Sequence, residues 1–369
     1  FLWKQVKFPL ATDASNAAVQ VLKEGEVQGS DVAAHSAGVL DIRTNILADT
    51  DALYLTAIDK YGHELWRWTF PVNKLNQQTE QLSPLSSRPT YTETENDLTV
   101  KANKRTFIFS KKDGQLKGVS VDNRKISFAN GPRFIGARRA DRSLDQFYNH
   151  DDEKAKEKDR TYSEFPDAAV FTKLDVKQDG GDLVVTANYK LGNLDKAQWT
   201  INPSGDLALD YTYNFSGVVD LMGIRFDYPE DQVISKRWLG AGPYRVWQNR
   251  IHGTQYDVWE NDYNDPIPGE TFTYPEFKGY FGDVSWMNIQ TKEGTISLTN
   301  ETPDTYIGVY QPRDGRDRLL YTLPESGISV LNVIPPVRNK VNSTDLCGPS
   351  SQPKWVNGPQ TGRVIFRFM

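Results

Sequence analysis

Large apolar side chains recur at every second position over much of this 369-residue chain, and this period constrains the fold most strongly. From 207 to 215, Leu, Leu, Tyr, Tyr and Phe alternate with Ala, Asp, Thr and Asn. Successive side chains of a strand point to opposite faces, so this pattern predicts a strand on a sheet with one covered face. The same theme returns in five further runs, 183–191, 294–298, 306–310, 328–333 and 364–368.

Turn residues separate these runs. Asp113-Gly114 lies between the apolar runs 105–109 and 115–121, and a residue pair that accepts positive φ at this place indicates a hairpin. The chain contains 12% aromatic residues, 27 Gly and 20 Pro, a mixture typical of strands joined by tight turns. No helical pattern alternates with the strands. The sequence therefore predicts an all-β fold, with a large sandwich rather than a barrel of βα units.

Charge and cysteine content exclude several classes of protein. The formal net charge is −5 and no Lys/Arg block occurs, which disfavours broad nucleic-acid binding. No apolar run is long enough to cross a bilayer, so we expect no membrane partner. Cys347 is the single cysteine, which excludes an internal disulfide and a Cys-based zinc site.

The first residues contain neither an initiator Met nor a signal peptide. We therefore expect a piece, or a mature product, of a longer precursor. The sequence does not identify the cellular compartment, and a periplasmic or secreted location is slightly favoured.

Composition divides the chain into two folded regions. Three short alternating runs, 40–46, 53–57 and 66–70, predict half-buried strands near the N-terminus. The stretch from Asn73 to Tyr91 is rich in Gln, Ser, Pro and Asn and cannot supply a hydrophobic face, which indicates a linker. We expect a small sandwich over 1–75, incomplete if strands are missing, a linker over 76–92 and a large sandwich over 93–369.

Two segments of the large region carry recognisable motifs. The first is Asn-Lys-Arg-Thr-Phe-Ile-Phe at 103–109, continued by Gly-Gln-Leu at 114–116 and Gly-Pro-Arg at 131–133. The second is Lys-Arg-Trp-Leu-Gly-Ala-Gly-Pro at 236–243, followed by Trp-Gln-Asn-Arg at 247–250. Together they resemble the C-terminal small-chain domain of β-galactosidases of glycoside hydrolase family 2. Residues 53–57 and 65–70 are similar to the last strands of the immunoglobulin-like domain that precedes it, so the resemblance covers 52–369.

The resemblance implies a fold and a role. The fold is a small immunoglobulin-like sandwich followed by a large galactose-mutarotase-like β-supersandwich. Hydrolysis in the family needs two glutamates on a (β/α)8 barrel, and this sequence encodes no such barrel. The implied role is that of a non-catalytic C-terminal portion that supports the catalytic barrel of the parent chain and the edge of its sugar pocket, with carbohydrate as a further partner. Whether this chain is itself an enzyme stays open.

Two alternative functions remain open, and the sequence differs from the family pattern in one segment. A free-standing carbohydrate-binding module and a mutarotase-like sugar isomerase remain open, the latter with His150 or His252 as its acid–base residue. At 134–142 the chain reads Phe-Ile-Gly-Ala-Arg-Arg-Ala-Asp-Arg, where the family usually has a Pro and an acidic cluster. This departure puts a classical β-galactosidase specificity in doubt.

Aromatic residues are the candidates for sugar contacts. Aromatic faces stack on the C–H face of a pyranose while polar neighbours bind its hydroxyls. We select Trp247, Tyr256 and Trp259 from the aromatic-dense stretch 238–286, although core packing explains most such residues equally well. Trp355 is the fourth candidate. The family sends a loop with a Trp to the rim of the active site, and Trp355 follows a Gly/Pro/Ser-rich run that predicts an exposed loop.

No catalytic residue and no metal site are assigned. Asn300-Glu301 superficially resembles the acid/base pair of the family, but no βα repeat places a second glutamate. The oxygen-rich run 257–265 could hold Ca²⁺, with a polar turn as the alternative, and it lacks the Gly and terminal Glu of an EF-hand. Beyond that Ca²⁺ we expect no cofactor.

Overall fold

The computed structural model describes residues 1–72, 87–139, 162–262, 279–309, 324, 326–336 and 352–369. Strands dominate these residues, and the helical element among them is a single 3₁₀ turn at Glu230–Gln232. Within the described ranges, no helix has the length and apolar character needed to cross a lipid bilayer. The predicted all-β class is confirmed.

The N-terminal sheet has four antiparallel strands in the order β2-β1-β3-β4. Its strands are β1 (Leu2–Lys7), β2 (Gln20–Glu26), β3 (Ala52–Ile58) and β4 (Glu64–Pro71). The predicted strands 53–57 and 66–70 are confirmed as β3 and β4. The predicted strand 40–46 is wrong, because β1 takes the place beside β3. Buried Gln5 instead binds this segment through Thr44 Oγ1, at 3.1 Å, and the carbonyl of Asn45, at 2.8 Å.

The remaining described strands form two large sheets, one with 11 strands and one with nine. The eleven-stranded sheet contains β5 (Thr90–Glu93), β6 (Asp97–Ala102), β7 (Arg105–Ser110), β8 (Leu116–Val121), β9 (Arg124–Ile126), β10 (Ala129–Arg139), β11 (Tyr162–Glu164), β16 (Leu221–Asp227), β19 (Phe281–Gly282), β22 (Tyr306–Val309) and β23 (Ile328–Val333). The nine-stranded sheet contains β12 (Val170–Asp179), β13 (Asp182–Lys190), β14 (Leu194–Ile201), β15 (Leu207–Val219), β17 (Val233–Gly242), β18 (Gln255–Asp262), β20 (Trp286–Thr291), β21 (Gly294–Asn300) and β24 (Lys354–Phe368).

Period-two alternation explains the core between the two large sheets. The odd-numbered positions from 207 to 215 are buried, as predicted, and pack across the sandwich. Trp199 of the nine-stranded sheet lies 5.9 Å from Phe109 and 6.0 Å from Phe226, ring centre to ring centre, and both partners belong to the opposite sheet. The predicted hairpin joins β7 to β8, and Gly114 adopts φ +74° in its turn.

The segment predicted as a linker is described in part. Residues 76–86 lie outside the described residues. β5 begins at Thr90, within the predicted linker, and pairs with β6 of the large sandwich.

One face of the N-terminal sheet packs on the nine-stranded sheet. Phe8 and Tyr54 join Tyr256 and Trp286 in an apolar cluster. At its edge, Asp257 accepts a hydrogen bond from the Tyr54 hydroxyl at 2.7 Å and another from Arg67 Nη2 at 2.6 Å. Burial, and secondarily the Asp257 charge, raises the pKa of Tyr54 well above its ordinary value, so Tyr54 remains a hydrogen-bond donor.

Candidate functional site

The other face of the N-terminal sheet is apolar and partly open. The pairing register places side chains of β1, β3 and β4 in rows on this face, with Trp3 beside Leu55 and Leu55 beside Trp68. We call this surface the aromatic face, and it consists of Trp3, Leu53, Leu55, Trp66, Trp68 and Phe70. It lies opposite the face that packs on the nine-stranded sheet.

Exposure distinguishes the β4 rings of the aromatic face from the core, whereas Trp3 on the same face is buried. Trp66, Trp68 and Phe70 are 41%, 40% and 48% exposed, and they follow one another at period two on β4. Their strand is the edge of its sheet. A contiguous exposed patch of large apolar side chains, in contrast to a single such residue, marks an interaction surface. The aromatic face is therefore the first candidate site.

Three of the predicted sugar-contacting residues lie in packing contacts. Trp247 is 2% exposed and meets Tyr280 edge-on at 5.6 Å between ring centres. The Tyr256 hydroxyl lies 2.5 Å from Ser285 Oγ, and the Tyr256 ring packs on the N-terminal sheet. Trp259 donates its indole N–H to main-chain carbonyls and packs against the central core. The three belong to three different clusters, so the structure does not bring them together at one surface.

Trp355 is exposed, but the predicted loop is wrong. Its exposed fraction is 71%. It lies in β24, where Trp355 pairs with Val218 of β15. The local Pro/Ser/Gly composition indicated a loop, whereas β15 continues to Val219 and supplies a pairing partner from far away in sequence.

The other residues that the sequence suggests for a site form hydrogen bonds or ion pairs within the chain, or lie outside the described residues. Asp257 of the oxygen-rich run binds Tyr54 and Arg67, while positions 263–265 lie outside the described residues. No cluster of three or more possible metal ligands occurs among the residues that the structure describes. Glu301 pairs with Arg363 at 2.8 Å, and the main-chain carbonyl of His252 accepts a hydrogen bond from the Tyr244 hydroxyl at 3.4 Å. His150 is outside the described residues.

A second candidate site lies beside β10 and β16, and sequence reasoning missed it. Arg133 and Arg225 are register partners on these neighbouring strands. Arg133 Nη2 and Asn130 Nδ2 both donate to the carboxylate of Asp227. Burial, and secondarily the adjacent Arg133 charge, lowers the pKa of Arg225 below its ordinary value. Gly131-Pro132-Arg133 was visible as a motif, but only the β10–β16 register shows that two arginines meet.

Hollows surround this arginine pair. The first, of about 780 Å³, extends from the pair to Tyr228 and Ser326. Another, of about 500 Å³, extends from the same pair to Phe171 and Tyr189. We call the continuous depression the arginine groove. Both volumes fall in the range of roughly 300–1,000 Å³ that small-molecule sites occupy.

Comparison with solved structures gives distant likenesses. The galactose 1-epimerase of Lactobacillus acidophilus is 10% identical to this chain, with a TM-score of 0.40, and the match covers 77% of this chain and 99% of that one. An aldose epimerase homologue from C. elegans is 7% identical, with a TM-score of 0.35, and covers 76% of this chain and 99% of that one. These likenesses carry no argument about activity. The sheets themselves confirm the predicted all-β class, and the described residues place one small four-stranded N-terminal sheet where the sequence predicts an immunoglobulin-like sandwich and two large sheets where it predicts the supersandwich.

The sheets show an all-β protein, and a match to a family profile identifies its family. No curated protein matches the chain. The family profile described as "Beta galactosidase small chain" matches residues 101–334, more than half of the chain. The chain therefore belongs to the β-galactosidase small-chain family, and the resemblance stated from its motifs is confirmed. A small chain implies association with a β-galactosidase large chain.

Proposed function

We propose that this chain is a non-catalytic portion of a β-galactosidase-like glycoside hydrolase and that it docks on the large chain through the aromatic face. Membership of the small-chain family supports the choice of partner. The observation that carries the docking surface is the row of half-exposed rings Trp66, Trp68 and Phe70 on β4. The occupant is an apolar face of the large chain, which completes a second layer over the N-terminal sheet.

Physical chemistry favours this surface over other exposed residues. A sheet with two apolar faces needs a layer on each. The nine-stranded sheet covers the face that contains Tyr54, whereas the β4 rings Trp66, Trp68 and Phe70 on the aromatic face are 40–48% exposed among the described residues. Trp and Phe are enriched at the centres of protein interfaces, because their large rings lose water without losing much conformational freedom. Arg67 points to the opposite face of β4, where it donates a hydrogen bond to Asp257. The face of β4 that carries the rings is therefore the one available to a partner.

The large chain would supply the chemistry. Glycoside hydrolysis needs a pair of carboxylates flanking the scissile bond, and we propose that both come from the catalytic barrel. In the assembled enzyme this chain supports the barrel and adds an edge to its sugar pocket. Trp355, which is 71% exposed, is the residue we propose for that edge, since an open ring can stack on a pyranose.

Binding between purified chains tests the docking surface. The large chain is titrated with the intact small chain, with the Trp66→Ser/Trp68→Ser double variant and with Tyr91→Ser as a matched control, since Tyr91 is a similarly exposed ring on β5 of the large sandwich. Removing two interface tryptophans should weaken binding by about 100-fold or more, because a single central aromatic contributes roughly 2 kcal/mol. The control should bind like the intact chain, and aryl galactoside turnover should follow the formation of the complex.

Two outcomes would contradict the proposal. Equal affinity of the double variant and the intact chain would remove the aromatic face from the interface. Turnover of an aryl glycoside by the small chain alone, surviving repurification and lost in Glu301→Gln, would show that the chain is catalytic. The double variant must first retain its cooperative unfolding transition, which separates loss of docking from loss of fold.

A further inference from the structure

The two large sheets end in edge strands of very different length. The eleven-stranded sheet ends in β5 and β19, which have four and two residues. The nine-stranded sheet ends in β18, which the N-terminal sheet meets through the Arg67–Asp257 pair, and in β12, which has ten residues. Among the described residues, β12 pairs only with β13. Its other side therefore carries a row of main-chain N–H and C=O groups for which the described strands supply no ladder partner.

A regular segment of β12 runs from Lys173 to Asp179, between a bulge and the turn to β13. Every residue in this segment has a direct register partner on β13. Leu174 and Val176 face the core of the sandwich and are partly buried against it. The alternate residues point to the outer face and are exposed. The segment is therefore straight enough to continue the sheet on its other side.

The exposed residues of this segment alternate in charge. They are Lys173, Asp175, Lys177 and Asp179, and we call this row the charge ladder. Along the strand, Lys173 Nζ lies 2.7 Å from a carboxylate oxygen of Asp175, and Lys177 Nζ lies 3.8 Å from one of Asp179. All four side chains are more than half exposed, so these contacts contribute little and can be exchanged for others.

The charge ladder is complementary to itself in one arrangement. In an antiparallel pair of β12 strands with a two-fold axis at Val176, Lys173 lies opposite the second copy's Asp179. Asp175 lies opposite the second copy's Lys177 in the same pair. An axis at Asp175 or Lys177 places like charges opposite each other, as does parallel pairing in register, and an axis two residues away pairs fewer charges. Opposite charges across a ladder stabilise it and like charges destabilise it, so the pattern favours the axis at Val176.

Charges on a terminal strand can also serve to keep another chain away. Charges of a single sign achieve this, because they repel a second copy in every register. The alternating signs of the charge ladder do not, and they lie on the outer face of the strand rather than on its core-facing side. On that core-facing side, an axis at Val176 brings two partly buried valines together. Both faces of β12 therefore suit a second copy.

We propose that β12 joins two copies of this chain as an antiparallel edge-to-edge pair with the two-fold axis at Val176. The two nine-stranded sheets then continue into each other. Only the segment from Lys173 to Asp179 takes part in the pairing, so the interface is smaller than that of an obligate dimer and the association depends on concentration. The pairing uses neither the aromatic face nor the β18 edge that the N-terminal sheet meets. It therefore goes beyond the proposed docking function and does not rest on it.

Sedimentation velocity of the full chain tests the pairing by charge exchange. Asp175→Lys/Asp179→Lys makes the ladder wholly positive, and Lys173→Asp/Lys177→Asp makes it wholly negative. The intact chain should shift from monomer toward dimer as its concentration rises. Each variant should dimerise about 20-fold or more weakly, because attractive cross-strand pairs become repulsive. An equimolar mixture of the two variants should dimerise at least as well as the intact chain, because Lys then lies opposite Asp in every pair.

A matched control separates the ladder from net charge. Glu24→Lys/Glu95→Lys changes the net charge as much as the positive variant does, at exposed positions outside β12. It should dimerise like the intact chain. Thermal unfolding should show that all these proteins remain folded, because every substituted side chain is exposed.

Intermolecular disulfides test the position of the axis. Val176→Cys, made together with Cys347→Ser, should cross-link two copies when an oxidant is added. Residues directly opposite each other in an antiparallel pair have Cα atoms about 5 Å apart, within the range of a disulfide. Lys173→Cys in the same background should not cross-link, because the two copies of that position lie about 20 Å apart along the pair.

Several results would overturn the proposal. They are a chain that stays monomeric at every concentration, ladder variants that both dimerise like the intact chain, and a mixture of the variants that stays monomeric. A disulfide in the Lys173→Cys protein rather than in the Val176→Cys protein would reject the axis. Both ladder variants should bind the large chain like the intact chain, so a failure of docking and a failure of pairing can be told apart.

Discussion

Two regions of this molecule have the same alternation of aromatic residues, but the rings are buried in one region and partly exposed in the other. In the large sandwich, Trp199 is fully buried because a second sheet covers its face. In the N-terminal sheet, Trp68 alternates in the same way and is 40% exposed. Sequence period therefore decides that a residue lies on an apolar face, whereas the presence of another layer decides whether that face is buried. Within the described part of the chain, no second sheet covers the β4 rings, and this difference between the regions is what the docking proposal builds on.

The largest expected effect comes from removing the two tryptophans in turn. Trp199→Ala should destabilise the chain by about 3–5 kcal/mol, since it deletes a large ring from a closed core. Trp68→Ala should cost about 1 kcal/mol, because much of that ring already faces water. Urea unfolding followed by circular dichroism measures both. Equal losses would break the comparison, because they would show that the aromatic face is covered in the isolated chain.

A smaller effect concerns the contact between the two regions. Asp257→Asn should cost about 2–3 kcal/mol, because Asp257 accepts one charge-assisted hydrogen bond from Arg67 and a further bond from Tyr54 at a largely buried interface. Thermal unfolding provides the measurement. Glu24→Gln is the control, since its pair with Lys4 is exposed and should contribute less than about 0.5 kcal/mol. A loss no larger than that of the control would mean that the N-terminal sheet is held by apolar contacts alone.

The acid stability of the sandwich should depend on Asp206. Burial would raise its pKa, but two hydrogen bonds from Arg367, at 2.7 Å each, and the Arg367 charge outweigh burial, so the pKa lies below its ordinary value of 3.8. A carboxyl group with a lowered pKa stabilises the fold above its unfolded pKa, and this contribution disappears as the pH falls through the folded value.

Urea unfolding at several pH values tests this prediction. Asp206→Asn should reduce stability by about 1–2 kcal/mol at pH 7, and the difference from the intact chain should narrow below pH 3.8. Asp210→Asn, at the more exposed pair with Arg363, should cost less. A difference that stays constant down to the acid transition would show that the Asp206–Arg367 pair contributes nothing through ionisation.

The smallest expected effect on stability belongs to Trp355. Trp355→Ala should change the free energy of unfolding by less than about 0.5 kcal/mol, because the ring is largely exposed. In the complex with the large chain, apparent sugar affinity should fall by about fivefold, the loss expected from one stacking contact of about 1 kcal/mol. Unfolding in urea and substrate titration check the two parts. A large loss of stability would identify Trp355 as a packing residue.

Local patterns predicted the strands better than they predicted the partners of those strands. The run 328–333 is β23, and 207–215 lies within β15, because alternation is a property of the segment itself. The run 40–46 shows the same alternation, yet β1 occupies the position that it would have needed. The neighbours of Trp355 are poor strand formers and predict a loop, but the extended β15 pairs with this segment.

The candidate sites were harder to predict, because both depend on register. Trp66 and Trp68 were recognised as strand residues, but their exposure depends on which face the nine-stranded sheet covers. Arg133 and Arg225 lie far apart in sequence and become neighbours only when β10 pairs with β16. The aromatic-rich stretch 238–286 drew attention to Trp247 and Tyr256, which the structure places in packing contacts. Composition alone cannot distinguish an aromatic ring that binds sugar from one that fills a core.

Hydroxyl-radical footprinting of the small chain, free and saturated with the large chain, tests the central claim most directly. Oxidation rates of Trp66, Trp68 and Phe70 report the accessibility of the aromatic face. Tyr61, which is 73% exposed in the turn between β3 and β4, provides an internal reference. The docking proposal predicts that the three β4 rings become strongly protected in the complex while Tyr61 keeps its rate. Unchanged oxidation of all three rings in a fully formed complex would contradict it.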